Sequence, residues 1–96
     1  MATEIYAARC MVYDVIEKID RREEDRAGAS MAKLFAAEVT NRVADKAIQI
    51  FGSQGLEKGH PVEKMYRSSR MFRILSGTSE IQKNTIAKEL FKEKAL

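Results

Sequence analysis

The sequence is short of the residues that staple small domains together. It has one cysteine, one histidine, one proline and no tryptophan in 96 residues. A lone Cys10 closes no internal disulfide, which excludes a secreted disulfide scaffold and fits a reducing compartment. Cys10 and His60 together fall short of the roughly four ligands of a structural zinc site, so no metal site is expected. No third residue completes a Cys/His nucleophilic pair. One proline and five glycines are too few turn formers for an all-β fold. No apolar run approaches the roughly 18 residues of a membrane span, and no basic-then-apolar leader precedes a cleavage site. Charge of one sign is not concentrated either. The net charge is +3, but the signs are mixed, as in Arg21-Arg22-Glu23-Glu24-Asp25-Arg26, which argues against nucleic acid as a partner.

What is present is 45 % hydrophobic and 32 % charged residues, the balance of a globular or helix-rich chain and not of a disordered one. The length is that of one small domain, whose core has to be economical. Four helices are predicted. In the first, from about Thr3 to Glu24, Ile5, Ala8, Val12, Val15 and Ile19 recur at spacings of three and four, the seam of a bundle helix. Tyr6, Cys10 and Tyr13 widen it; both tyrosines and Met31 read as core or interface, and Cys10 as a small buried hydrophobe. The stripe begins with no clear start signal, and the helix is expected to begin upstream of Met1. A polar hinge from Asp25 to Gly28 follows. Ser30 is then a candidate N-cap or first-turn residue of a long helix reaching Phe51. That helix is rich in alanine, with Ala36, Val43, Ala47 and Ile50 on one stripe and Leu34, Phe35 and Val39 at its shoulder. Alanine on a buried face lets a partner helix approach closely.

The stretch from Gly52 to Pro61 holds three glycines and the only proline and reads as the one real loop. Pro61 suits the first position of a third helix, to about Leu75, with Val62, Met65, Tyr66, Ser69 and Phe72 on one side. Ser76-Gly77 ends it. Thr78 caps a fourth helix, with Glu80 in its first turn and Ile81, Ile86, Ala87, Leu90 and Phe91 as its apolar positions. The fold class is all-α, an antiparallel helical bundle of two long and two shorter helices.

Two glycine-bearing motifs concentrate whatever chemistry there is. Gln49-Ile50-Phe51-Gly52-Ser53-Gln54-Gly55 is a helix end running into a glycine loop, where Gly52 and Gly55 allow a ligand to approach the backbone. Ser76-Gly77-Thr78-Ser79-Glu80-Ile81-Gln82 places a glycine just before a capped helix, whose free N–H groups attract a phosphate or a polarised carbonyl. On local physics alone, both also read as ordinary helix punctuation.

Taken together, Ser30-Met31-Ala32-Lys33-Leu34-Phe35-Ala36, Ala47-Ile48-Gln49-Ile50-Phe51-Gly52, Pro61-Val62-Glu63-Lys64-Met65-Tyr66-Arg67 and Gly77-Thr78-Ser79-Glu80-Ile81-Gln82 resemble the C-terminal helical domain of the acyl-CoA dehydrogenase family, in order and spacing, over nearly the whole chain. The resemblance implies that residues 1–96 are one helical domain, the C-terminal part of a three-domain flavoenzyme that oxidises the α,β bond of an acyl-CoA thioester with FAD. It implies homo-oligomers, dimers or tetramers, and an electron-transferring flavoprotein as redox partner, in the cytoplasm or the mitochondrial matrix. It assigns Gln49, Ile50 and Gly52 to the FAD of a neighbouring subunit, Thr78, Ser79 and Glu80 to FAD contacts, and Gly77 to the acyl thioester.

The sequence departs from that pattern at two places. Many family members carry a catalytic glutamate just before the Gly-Thr pair, where this chain has Ser76. A serine hydroxyl with no histidine beside it cannot act as that base, so no catalytic residue is assigned here, and the base is expected on a helix upstream of Met1. The family's Gly-Gly-x-Gly-Tyr loop reads Gly52-Ser53-Gln54-Gly55-Leu56. These departures support an alternative, a non-catalytic helical association module derived from the family. Arg67, Arg70 and Arg73 form a basic ridge that either meets a cofactor phosphate or pairs with Glu63 and other helices. Glu80 reads equally as a dipole-complementing residue and as a polar contact to cofactor.

Overall fold

The computed structural model describes residues 1–94, all helix and turn. Helix α1 spans Ala2–Asp20, α2 Arg26–Phe51, α3 Pro61–Met71 and α4 Ser79–Lys94, with a short 3-10 turn at Gly52–Leu56. The predicted four helices are therefore present, two long and two shorter. At about 1.5 Å per residue, the 26 residues of α2 reach about 39 Å, most of the 54 Å long axis of the molecule. Helix α2 is the spine. Helices α1, α3 and α4 each pack on it, and none packs its backbone on another among the described residues.

The starts and stops follow local chemistry. Arg22 takes a left-handed φ of 58° at the end of α1. There the Glu23 N–H donates to Lys18 O (2.8 Å) and the Arg22 N–H to Ile19 O (3.0 Å), which satisfies two terminal carbonyls. Pro61 opens α3 as expected, and the Thr78 hydroxyl caps α4 by accepting from the Ile81 N–H at 3.1 Å. Helix α2 begins earlier than expected. Asp25, not Ser30, is its N-cap, accepting from the Gly28 N–H, and the expected hinge residues 26–28 form the first turn. Ser30 is a buried residue inside the helix. The expected 52–61 loop is half 3-10 turn, and α3 unwinds into turns from Phe72 on.

The core is thin, because α2 meets neighbours on several sides. Ala27, Ala32, Ala37, Val39 and Ala44 are buried along it, joined by Val62 of α3. The small alanines let the three partners come close. The predicted stripe of Ala36, Val43 and Ala47 is not the buried one. It floors an open apolar groove of about 590 Å³, walled by Ile5 and Val12 of α1, Met65 of α3 and Phe72 just after it. Helix α1 buries no residue fully. Tyr6 and Tyr13 are 72 % and 61 % exposed, so they are not core. Cys10 is likewise exposed, contrary to its expected burial, because among the described residues no helix other than α2 packs on α1.

Candidate functional site

The first glycine motif lies at the C-terminal end of the spine and the second beside its N-terminal half, against Lys33 and Glu38. Gln49, Ile50 and Gly52 sit at the C-terminal end of α2, all three exposed. Gly52 takes φ 68°, with open space where a side chain would be, and its N–H donates to Ile48 O as the C-cap. Only glycine adopts that conformation at no steric cost. Gly55 is used differently from expectation. It is buried, and a Cβ there would stand 3.2 Å from Ile48 O and from the Phe51 Cβ. Its missing side chain seats the 3-10 turn against α2 and does not open the backbone to a ligand. The Phe51 ring meets the His60 ring edge-on at 4.9 Å, and His60 Nδ1 accepts from the Val62 N–H to cap α3.

The second motif forms the corner between α3 and α4. Ser76 and Gly77 have φ 57° and 94°, two successive left-handed residues that reverse the chain. A Cβ at Gly77 would stand 2.7 Å from Gln82 Nε2, the same amide nitrogen that donates to Ser76 O at 3.3 Å. Lys33 of α2 donates to Gly77 O at 2.9 Å and to Phe72 O at 2.5 Å. Ser79 is only 2 % exposed. Its hydroxyl donates to Glu38 Oε1 at 2.8 Å and its N–H to Arg73 O at 3.0 Å. Both Ser79 donors are thus engaged inside the chain. Among the described residues the N–H groups of Gly77, Thr78 and Glu80 have no acceptor. They are the corner's available donors, at the positive end of the α4 dipole.

Charge around the corner is balanced. Glu38 Oε1 also accepts from Arg73 Nε at 3.0 Å. Burial pushes the Glu38 carboxyl up, but the hydrogen bonds from Ser79 and Arg73 outweigh it and hold it below the usual carboxylate range. An ionised, paired carboxylate of this kind makes a poor proton acceptor. Arg67 pairs with Glu63, whose carboxyl is held low first by the Gly59 N–H and then by that guanidinium. Two members of the basic ridge therefore form structural ion pairs. Glu80 is exposed in the first turn of α4.

Sequence reasoning missed Lys33 and Glu38. Their partners lie 35 to 44 residues away, beyond the reach of any local spacing rule. The one sequence signal was the conjunction of Arg73 with an acidic residue on a facing helix, and that pairing needs the fold to be visible.

The pattern of the acyl-CoA dehydrogenase C-terminal domain matches residues 1–91. The chain is 41 % identical over 93 residues to the caffeyl-CoA reductase-Etf complex subunit CarC of Acetobacterium woodii, covering 97 % of this chain and 24 % of that protein. It is 38 % identical over 94 residues to cyclohexane-1-carbonyl-CoA dehydrogenase of Geobacter metallireducens, covering 98 % and 25 %. The butyryl-CoA dehydrogenase structure from Megasphaera elsdenii superposes with a TM-score of 0.91 at 33 % identity, covering 95 % of this chain and 24 % of that one. The chain thus spans about a quarter of the length of these relatives. With nearly every residue inside the matched pattern, and the helical fold shared over 95 % of the chain, the chain belongs to the acyl-CoA dehydrogenase family as its C-terminal helical domain.

Proposed function

We propose that the chain is the C-terminal part of an FAD-dependent acyl-CoA oxidoreductase and supplies cofactor contacts from two well-separated places along α2. The supporting observation is the separation of the two motifs. Lys33, which holds Gly77, and Gly52 are 19 positions apart in one continuous run of helix, about 28 Å at 1.5 Å per residue. One small site cannot use both, so Gly77 to Glu80 serve one active site while Gln49, Ile50 and Gly52 reach the flavin of a neighbouring subunit. That arrangement calls for a homo-oligomer, a dimer or tetramer.

The corner fits this role by its chemistry. The N–H groups of Gly77, Thr78 and Glu80 offer donors to phosphate or carbonyl oxygens, and Gly77 presents no side chain against an acyl thioester. Ser79 contributes by anchoring the corner through its buried hydroxyl. FAD, when bound, supplies the hydride acceptor for α,β-oxidation of the thioester. Ser76, exposed and with no histidine beside it, is not the base; that carboxylate lies on another segment of the complete enzyme. Because the flavin ring is held outside this domain, the isolated chain is inactive. An electron-transferring flavoprotein is the redox partner, in keeping with the Etf complex in the name of the Acetobacterium relative. The compartment is the cytoplasm or the mitochondrial matrix, in keeping with the word mitochondrial in the name of the rat short/branched chain specific relative.

The test is flavin bleaching. The complete flavoprotein carrying this domain, mixed anaerobically with straight, branched and cyclic saturated acyl-CoA thioesters, should lose its flavin absorbance with at least one of them, and the 96-residue chain with added FAD should not. Ser76 at the base position also favours a second reading, an association module without chemistry. A flavoprotein that binds acyl-CoA but bleaches with none of these thioesters would decide for it.

A further inference from the structure

The corner between α3 and α4 is held by two side chains of a third helix. Lys33 spans its ends, donating to Phe72 O and Gly77 O. Five positions along α2, Glu38 grips Arg73 and Ser79 through one oxygen, at 3.0 and 2.8 Å. Among the described residues α3 and α4 do not pack their backbones on each other, so the attitude of the corner is set from α2. The Gln82 amide and the Ser79 N–H cross-link the corner internally, and Lys33 and Glu38 tie it to α2; losing those ties lowers the free energy at which the turn opens.

The Lys33 contact also has an electronic consequence. Gly77 O belongs to the same peptide unit as the Thr78 N–H, one of the corner's unpartnered donors. A cation on that carbonyl polarises the peptide and strengthens the N–H at its other end, as in any chain of hydrogen bonds. Glu38 acts on geometry instead, by drawing Ser79 and Arg73 to a common point and so aiming the first turn of α4.

We propose that Lys33 and Glu38 are positioning residues of the acyl-CoA and flavin site, holding and polarising the Gly77–Glu80 donors from α2 without touching either ligand. The proposal rests on the site assignment above. Its test uses the complete flavoprotein with Lys33→Gln, Lys33→Arg, Glu38→Gln and Glu38→Asp. Three quantities are read: amide hydrogen exchange over residues 72–82, KM against kcat for the acyl-CoA, and the shift of the flavin spectrum on adding a non-reducing acyl-CoA analogue.

Lys33→Gln should speed exchange in 72–82 and raise KM by about tenfold or more, the scale of losing a charge-assisted hydrogen bond, while peptides from α1 exchange as before. The spectral shift should shrink with it. Lys33→Arg should restore KM to within about threefold because it keeps the cation. Glu38→Gln should speed exchange in the same peptide and raise KM less, and Glu38→Asp should recover part of both. Variants that loosen 72–82 but leave KM and the spectral shift unchanged would overturn the proposal, as would unchanged exchange. A wild-type protein whose flavin spectrum ignores the analogue would instead sink the functional reading, and the positioning roles with it.

Discussion

The Asp25 carboxylate occupies the place that a side chain at Gly28 would take. It accepts the Gly28 N–H at 2.9 Å, and a Cβ on Gly28 would stand 2.1 Å from Asp25 Oδ2. Lys18 adds an ion pair to the same carboxylate at 2.8 Å. Asp25→Ala should therefore destabilise the chain by about 1 kcal/mol, a typical N-cap loss. Gly28→Ala displaces the cap and so loses about what alanine gains inside a helix, giving almost no net change. In the Asp25→Ala background that conflict is gone, and Gly28→Ala should stabilise by about 1 kcal/mol. Urea midpoints of the four proteins test the cycle; additive effects would mean that the cap and the glycine are independent.

That pair also shows where local reading stops. Pro61 and Thr78 were legible as helix starts because each acts locally: Pro61 has no N–H to leave unpaired at the first helical position, and Thr78 accepts the N–H three residues on. Gly52 and Gly77 were legible as stops because positive φ favours glycine wherever it occurs. Gly28 looked like part of a hinge, since a glycine two positions after an arginine-acid run resembles a break. Only the packed cap shows that it continues the helix. The Lys33 and Glu38 contacts were invisible for a different reason: they join α2 to a corner about 40 residues away, which no spacing rule encodes. The stripe of Ala36, Val43 and Ala47 was read correctly as apolar and placed wrongly as buried, because periodicity reports which face wants a neighbour and not whether one is there.

Glu38 sets a pH dependence with a definite sign. Its folded-state carboxyl titrates below the ordinary value of 4.5, so on acidification the unfolded chain takes up the proton first. The stabilisation is thus complete above about pH 4.5 and fades as pH falls through the depressed folded value. Wild-type stability should drop faster than that of Glu38→Gln as pH is lowered from 5 toward 3, and the two curves should converge at the acid end. Parallel curves over that range would show that the Arg73 and Ser79 contacts contribute nothing in solution.

Gly77 joins a backbone requirement to a steric one. At φ 94° an alanine is strained by roughly 1 kcal/mol or more, and its Cβ presses on the Gln82 amide that reaches back to Ser76 O. Gln82→Ala removes the steric part and leaves the strain. Gly77→Ala should therefore lower thermal stability by several degrees, with only partial relief when Gln82→Ala is added. Full rescue by the second substitution would assign the whole cost to the clash.

The groove floored by Ala36, Val43 and Ala47 faces solvent with apolar walls from α1 and α3. Exposed apolar patches of this extent on soluble chains usually mark association surfaces. In the isolated chain, a second copy is the cover always at hand, and pairing copies under two-fold symmetry lets each groove be closed by the other. The chain should then sediment as a dimer at micromolar concentration. Val43→Glu, which places a charge on the groove floor, should shift it to monomer with helical content retained, because Val43 is only partly buried and borders the groove rather than the α2 core. Light scattering coupled to size exclusion reads the mass directly, and circular dichroism reports whether the helices survive. A wild-type chain that elutes as a sharp, stable monomer would mean that the groove tolerates water and that the subunit contacts of the complete protein lie elsewhere.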